Sequence, residues 1–177
     1  MLTRIQYTHS AGYLTDCCQL LNYMRELLFT DFSNSSGSKM YDWSGKTILI
    51  AEDTDCSFLY LKTILRNTAA AILWASTGQE AINLVREHRE IDVILMDINM
   101  PGISGFDATI GIHSIRPGIP VIAQTAYVHD NEVELCYASG CIDYIPKPID
   151  KNLLLEKLSV FLGAGVPKER KEMSGRL

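Results

Sequence analysis

The sequence predicts an α/β fold, (βα)5, built on a doubly wound parallel sheet. Three observations predict it. Short β-prone apolar runs alternate with stretches whose apolar residues recur at helical spacing. Five such pairs follow one another between residues 47 and 163. The connections are short, as βα units require, and apolar strands alternating with amphipathic helices imply a parallel sheet covered on both faces.

The elements follow in order. Thr47-Ile-Leu-Ile-Ala51 is the first strand, and Phe58, Leu61, Ile64 and Leu65 mark the helix after it. Ala70-Ala-Ile-Leu-Trp74 is the second strand. Its helix starts near Thr77, carries Gln79 and Glu80 in the first turn, and presents Ala81, Leu84 and Val85. Ile91-Asp-Val-Ile-Leu-Met96 is the third strand, followed by a helix from Gly105 to Ile115. Pro120-Val-Ile-Ala-Gln124 is the fourth, and Val133, Leu135, Cys136 and Ala138 suit its helix, ended by Ser139-Gly140. Ile142-Asp-Tyr-Ile145 is the fifth, and the last helix presents Leu153, Leu154, Leu158 and Phe161 before Gly163.

The 177 residues carry a net charge of −5, unevenly spread. Residues 1–43 have a net of −1, residues 44–163 a net of −6, and residues 164–177 a net of +2. The acidic body argues against a nucleic-acid binder, which would show a basic patch. No apolar run approaches a membrane span, and the first residues lack the apolar core of a secretory signal. Five cysteines, an odd number without a Cys-x-x-Cys pair, fit reduced thiols in a cytoplasmic protein. Cys136 and Cys141 read as small buried hydrophobes.

Residues 1–43 form an extension. Leu14, Cys17, Cys18, Leu21, Met24, Leu27 and Leu28 suggest an amphipathic helix, and Ser33-Asn-Ser-Ser-Gly-Ser38 a linker. The helix has three readings: a cover for the domain, a contact with a partner or second copy, or the remnant of a longer chain. Residues 164–177 form a polar, basic tail too short for a DNA-binding effector.

In open α/β sheets, ligands bind beyond the carboxyl ends of the strands. Glu52 and Asp53 follow the first strand, Asp97 the third, Thr125 the fourth and Lys147 the fifth. Two carboxylates about 5 Å apart repel by roughly 3 kcal/mol at an effective dielectric near 20. Either one of them holds a proton or a cation is bound. A small all-oxygen ligand set open to water suits Mg²⁺ or Mn²⁺ rather than zinc. A carboxylate beside such an ion can act as a nucleophile toward a phosphoryl group. The metal screens the incoming charge, and an ammonium such as Lys147 steadies the product.

Together ILIAED (48–53), LMDINMPGISGFD (95–107), VIAQTA (121–126) and DYIPKP (143–148) resemble the four signatures of response-regulator receiver domains. The resemblance runs from about 46 to 163. A W-x-G-K-x-I-L entry at Trp43 is similar to receivers attached to hybrid sensor histidine kinases. It implies the flavodoxin-like receiver fold and a set of roles. Asp97 matches the phosphoacceptor, Asp53 the direct metal-binding acid, and Glu52 a partner that usually holds the metal through water. Asn99 would offer its backbone carbonyl to the metal. Thr125 matches the hydroxyl that reaches a phosphoryl oxygen, Lys147 the lysine that pairs with it, and Tyr144 the aromatic switch residue. Lys147-Pro148 matches a peptide bond that is usually cis in the family. Phosphorylation would draw Thr125 toward the new oxygens, admit Tyr144 to the vacated space, and change the surface of the fourth helix, fifth strand and fifth helix. The sequence departs from the pattern in placing Glu first in the acidic pair, where one more methylene still reaches the metal shell. Tyr127, two beyond Thr125, is expected to shield the phosphoryl group from water and slow its loss.

Competing motifs are weaker. Gly45-Lys46-Thr47 resembles the end of a P-loop, but residue 40 is Met and a strand follows instead of a helix. His9, His88, His113 and His129 form no metal spacing. Asn34-Ser35-Ser36 fits a glycosylation sequon that matters only in a secreted chain. Asp97-Ile-Asn99 resembles the start of haloacid-dehalogenase-like phosphatases, which need an acid where Asn99 stands. The expectation is therefore a phosphoacceptor signalling domain and not an enzyme. It would take a phosphoryl group onto Asp97 from a sensor histidine kinase or histidine phosphotransfer protein, with Mg²⁺. A homodimer is a further possible assembly. The alternatives are a detached hybrid-kinase receiver acting as a relay intermediate and, more remotely, a Mg²⁺-dependent aspartyl phosphatase.

Overall fold

The computed structural model describes residues 41–126 and 130–163, without the side chains of Asp130 and Asn131. The expected N-terminal helix and linker, the tail from 164, and Tyr127 lie outside the described residues. The strands are β1 (Thr47–Ala51), β2 (Ala71–Ala75), β3 (Ile91–Asp97), β4 (Val121–Thr125) and β5 (Asp143–Pro146). The helices are α1 (Asp55–Leu65), α2 (Gly78–Glu87), α3 (Gly105–Ile115), α4 (Asp130–Ser139) and α5 (Lys151–Leu162). All pairings are parallel, in the order β2-β1-β3-β4-β5.

Every element predicted between residues 47 and 163 is present. Three strands sit one residue later than the apolar runs implied, at 71–75, 121–125 and 143–146. The pairing register sets these ends: Ala75 pairs with Ala51, and Thr125 with Pro146.

Because β1 and β4 are wholly buried and β3 is buried at every residue but Asp92, alternation sends their side chains to two cores. Leu49, Ala51, Ile94, Met96, Val121 and Ala123 pack with Ala81 and Val85 of α2, Ala108 and Ile112 of α3 and Cys136 of α4. The intervening Ile48, Ile50, Leu95 and Ile122 are equally buried. Right-handed crossovers place α1 and α5 over that second face. They contribute Tyr60, Leu61, Ile64 and Leu65, and Leu154, Leu155, Leu158 and Leu162. The buried face of α5 thus runs through Leu155 and Leu162, whereas Leu153 and Phe161 are half-buried.

Local caps fix three helix starts. Thr77 accepts from the Glu80 amide, Ser104 from Asp107 and Asp150 from Leu153. The Glu80 carboxylate reaches back to the Ser76 amide at 2.8 Å. Gly140, at φ 100°, ends α4 against the His113 ring, which leaves no room for a side chain. α4 buries little of its apolar sequence. Cys136 and Ser139 are buried, but Leu135 is 53% exposed and Ala138 also faces outward. The helix touches the sheet along a narrow seam, so its apolar sequence overstates its burial.

Candidate functional site

The chain leaves β1 toward β2 on one side and arrives at β3 on the other, so a crevice opens beyond their carboxyl ends. Three predicted acids meet there. Glu52, Asp53 and Asp97 bring one carboxylate oxygen each within 4.8 Å of one another. Glu52 and Asp97 are buried at 1% and 3% exposure, while Asp53 is exposed. Both buried carboxylates are fully engaged. The Lys147 ammonium donates to Glu52 at 2.9 Å and to Asp97 at 2.8 Å. The Thr54 hydroxyl donates to the other Glu52 oxygen at 2.8 Å, and the Asn99 amide to the other Asp97 oxygen at 3.0 Å.

Electrostatics follow from this packing. Burial pushes the Glu52 carboxyl above its ordinary range; Lys147 pulls it back and Asp97 pushes it further up. Burial alone would lower the Lys147 ammonium, but Glu52 and Asp97 hold it above its ordinary value. The donor set is all oxygen, two carboxylates buried and one open to water, which fits a small hard cation.

The backbone around the acids is held as tightly. The Glu52 amide donates to Ala75 at 3.0 Å, and the Ile98 amide to Gln124 at 3.1 Å. The Lys147 amide donates to the Thr125 carbonyl at 2.7 Å, which ties β5 to β4 at the site. The Lys147-Pro148 bond is cis, as the resemblance implied. Gly105 donates its amide to Ile98 at 3.0 Å, and a Cβ there would lie 2.8 Å from the Ile98 Cα. Only glycine lets α3 start this close behind Asp97.

Thr125, 1% exposed at the end of β4, donates its hydroxyl to the Glu132 carboxylate at 2.6 Å. Tyr144 is half-buried against the α2–α4 core, with the Lys157 ammonium 5.8 Å from its ring centre. Asn99 is exposed. Cys136 and Cys141 are buried as expected, and burial raises the Cys136 thiol to about 11. His88 pairs with Glu90, and His113 with the Ile119 carbonyl.

Three residues of the site were not read from the sequence. Thr54 is an N-cap whose hydroxyl serves Glu52 instead of its helix. Trp74, read from the sequence only as the end of the second strand, donates its indole N–H to the Glu52 carbonyl at 2.9 Å. Its ring stacks on Phe58 at 4.4 Å. Glu132 is the third. Trp74 and Glu132 carry no short-range mark, because their partners come from other elements, and Thr54 sits at a position that reads as an ordinary N-cap.

An acidic crevice at the switch point of a 2-1-3-4-5 sheet, closed by a lysine just after the last strand, defines a class of signalling domain. The family model of the response regulator receiver domain matches residues 48–159, and the chain belongs to that family. It is a receiver domain of two-component signalling. The chain is 36% identical over 132 residues to hybrid signal transduction histidine kinase I of Dictyostelium discoideum. That match covers 70% of this chain and only 7% of the kinase. It is 34% identical to the polar-differentiation response regulator DivK of Brucella anthropi, covering 67% of this chain and 97% of DivK. Among solved structures, a sensor histidine kinase receiver from Pseudomonas aeruginosa, with magnesium in its active-site cleft, superposes with a TM-score of 0.63. Identity is 30%, over 68% of this chain and 99% of that one. The Saccharomyces cerevisiae receiver of Ssk1, crystallised with the histidine phosphotransfer protein Ypd1, gives a TM-score of 0.62 at 26% identity. The match spans 66% of this chain and 88% of that one. Among the described residues no helix is long and apolar enough to cross a membrane.

Proposed function

We propose that this receiver accepts a phosphoryl group on Asp97 from a phosphohistidine of a kinase or phosphotransfer protein. One observation carries the reading: Asp97 is a buried carboxylate held between two further acids and the Lys147 ammonium. An Asp97 oxygen would attack phosphorus as the phosphorus–nitrogen bond breaks, and the released imidazole nitrogen takes up a proton. The carboxylates of Glu52, Asp53 and Asp97, with the Asn99 carbonyl, would hold Mg²⁺ or Mn²⁺. Such an ion supplies charge neutralisation at the transferred oxygens. Lys147 already pairs with Asp97, so it follows the charge onto the product. Thr125 would turn its hydroxyl to a phosphoryl oxygen, and Tyr144 would move inward behind it. Tyr127 would slow hydrolysis by shielding the acyl phosphate, and Tyr127→Ala should shorten its lifetime.

The output is a changed protein-contact surface in the cytoplasm, with no nucleic acid and no turnover of a separate substrate. A second reading, onward transfer in a relay, is favoured by the likeness to a hybrid kinase. The test is incubation with acetyl phosphate and Mg²⁺, followed by intact mass. A single phosphoryl adduct is expected on the wild type, and none on Asp97→Ala. An equal adduct on Asp97→Ala overturns the proposal. Transfer of the label from the phosphorylated protein to a histidine phosphotransfer protein would distinguish the relay.

A further inference from the structure

A threonine hydroxyl has one proton to donate. Here it goes to Glu132, at a length typical of a charge-assisted bond. The donor is buried at the end of β4, and the acceptor stands half-buried in the first turns of α4, seven residues along the chain. That proton cannot serve a phosphoryl oxygen at the same time.

We propose that Glu132 is a positioning residue: its carboxylate latches Thr125 in the unphosphorylated arrangement and competes with the phosphoryl group for the hydroxyl. This rests on the reading of Asp97 as phosphoacceptor. When the group arrives, Thr125 changes acceptor, and Glu132 loses its bond while negative charge is added to the site. The carboxylate then turns out toward solvent. α4 keeps Cys136 and Ser139 as its buried described side chains, while Leu135 and Tyr137 stand 53% and 51% exposed. The latch is thus a side-chain tie between the start of this helix and β4. Its release converts a charge event at Asp97 into loosening of the first turns of α4. The carboxylate sets the resting bias of the switch, and a neutral acceptor would set a weaker one.

The test is the affinity for beryllofluoride, a phosphoryl mimic, measured with Mg²⁺ on the full chain. A charged hydrogen bond is worth enough that losing the latch should raise affinity about tenfold in Glu132→Ala. Glu132→Gln keeps shape and an acceptor oxygen, so it should fall between the two and guards against a folding defect. Removing Glu132 also removes a charge, which would itself favour an anion. The double variant separates the two effects. In a Thr125→Ala background, Glu132→Ala should keep only that charge contribution, a clearly smaller gain than in the wild type. The same gain in that background, or wild-type affinity in both Glu132 variants, overturns the latch. Hydrogen exchange gives an independent reading: the α4 amides of Glu132→Ala without beryllofluoride should exchange as those of the wild type do with it. Unchanged α4 exchange in both cases overturns the release of the helix. A wild type that takes no beryllofluoride overturns the Asp97 reading itself, and the latch with it.

Discussion

The two walls of the crevice hold their polar groups in opposite ways. On the β1–β3 wall, Glu52 and Asp97 share Lys147, Thr54 closes the last oxygen of Glu52, and the Asn99 amide closes that of Asp97. On the β4 wall, the Thr125 hydroxyl donates to a carboxylate on a narrowly seated helix. Beside it, the fully buried amide of Gln124 meets no partner among the described residues. Four side chains of α1 and four of α5 are buried, against two described ones of α4. The difference teaches where a switch can move. A wall whose buried polar atoms are all paired is costly to rearrange, since any shift strands a charge. The wall whose hydroxyl can change acceptor is re-paired more cheaply.

The largest effect should come from breaking the paired wall. Lys147→Ala leaves two buried carboxylates facing each other and should cost roughly 3 kcal/mol at neutral pH. The loss should shrink on acidification. Glu52 is already held above its ordinary range by burial, so its proton returns early and ends the repulsion. In the wild type the sign is reversed at the other end of the scale. The Lys147 ammonium is raised in the folded protein, so its contribution is complete below the ordinary lysine range. It is lost only as pH rises through the higher folded value. Urea unfolding across pH measures both; equal stability of the two proteins at pH 7 would remove the distinction between the walls.

Next is Asp53→Asn. This acid is exposed and makes none of the wall's internal bonds described above, so stability should hold. Mg²⁺ affinity should fall about tenfold, because ligand charge count sets the strength of such sites. Titration calorimetry reads it. Trp74→Phe keeps the stack on Phe58 and deletes only the N–H donated to the Glu52 carbonyl. A loss near 1 kcal/mol is expected, and the wild-type indole fluorescence should respond to Mg²⁺ in a way this variant lacks. The smallest effect should carry the opposite sign. Gln124→Met removes two unmatched polar atoms from the β4 wall and should stabilise by up to about 1 kcal/mol. A clear destabilisation would mean that this wall is also polar-satisfied.

Much of this was legible in the sequence for a physical reason. Strand and helix periods are local, and residues just after strands must gather at one sheet edge once the strands are parallel. Glu52, Asp53, Asp97, Thr125 and Lys147 could therefore be placed together from their positions alone. What escaped depended on register and packing. Trp74 reaches Glu52 because β2 pairs with β1 so that Trp74 stands beside Ile50. Glu132 meets Thr125 across a loop. Leu135 matches a helical repeat yet faces outward, because the helix rests on the narrow Cys136 seam.

Trp43, 1% exposed, donates its indole N–H to the Gly163 carbonyl at 3.0 Å. A residue four positions before β1 and the residue just after α5 are thus fastened to each other. A domain whose entrance and exit meet occupies a single point on any polypeptide that carries it. Such a unit can be spliced into a linker, or reconnected head to tail and reopened in a surface loop, without altering the crevice at the far edge of its sheet. Portability of this kind suits a module that receives its message from one protein and shows it to another.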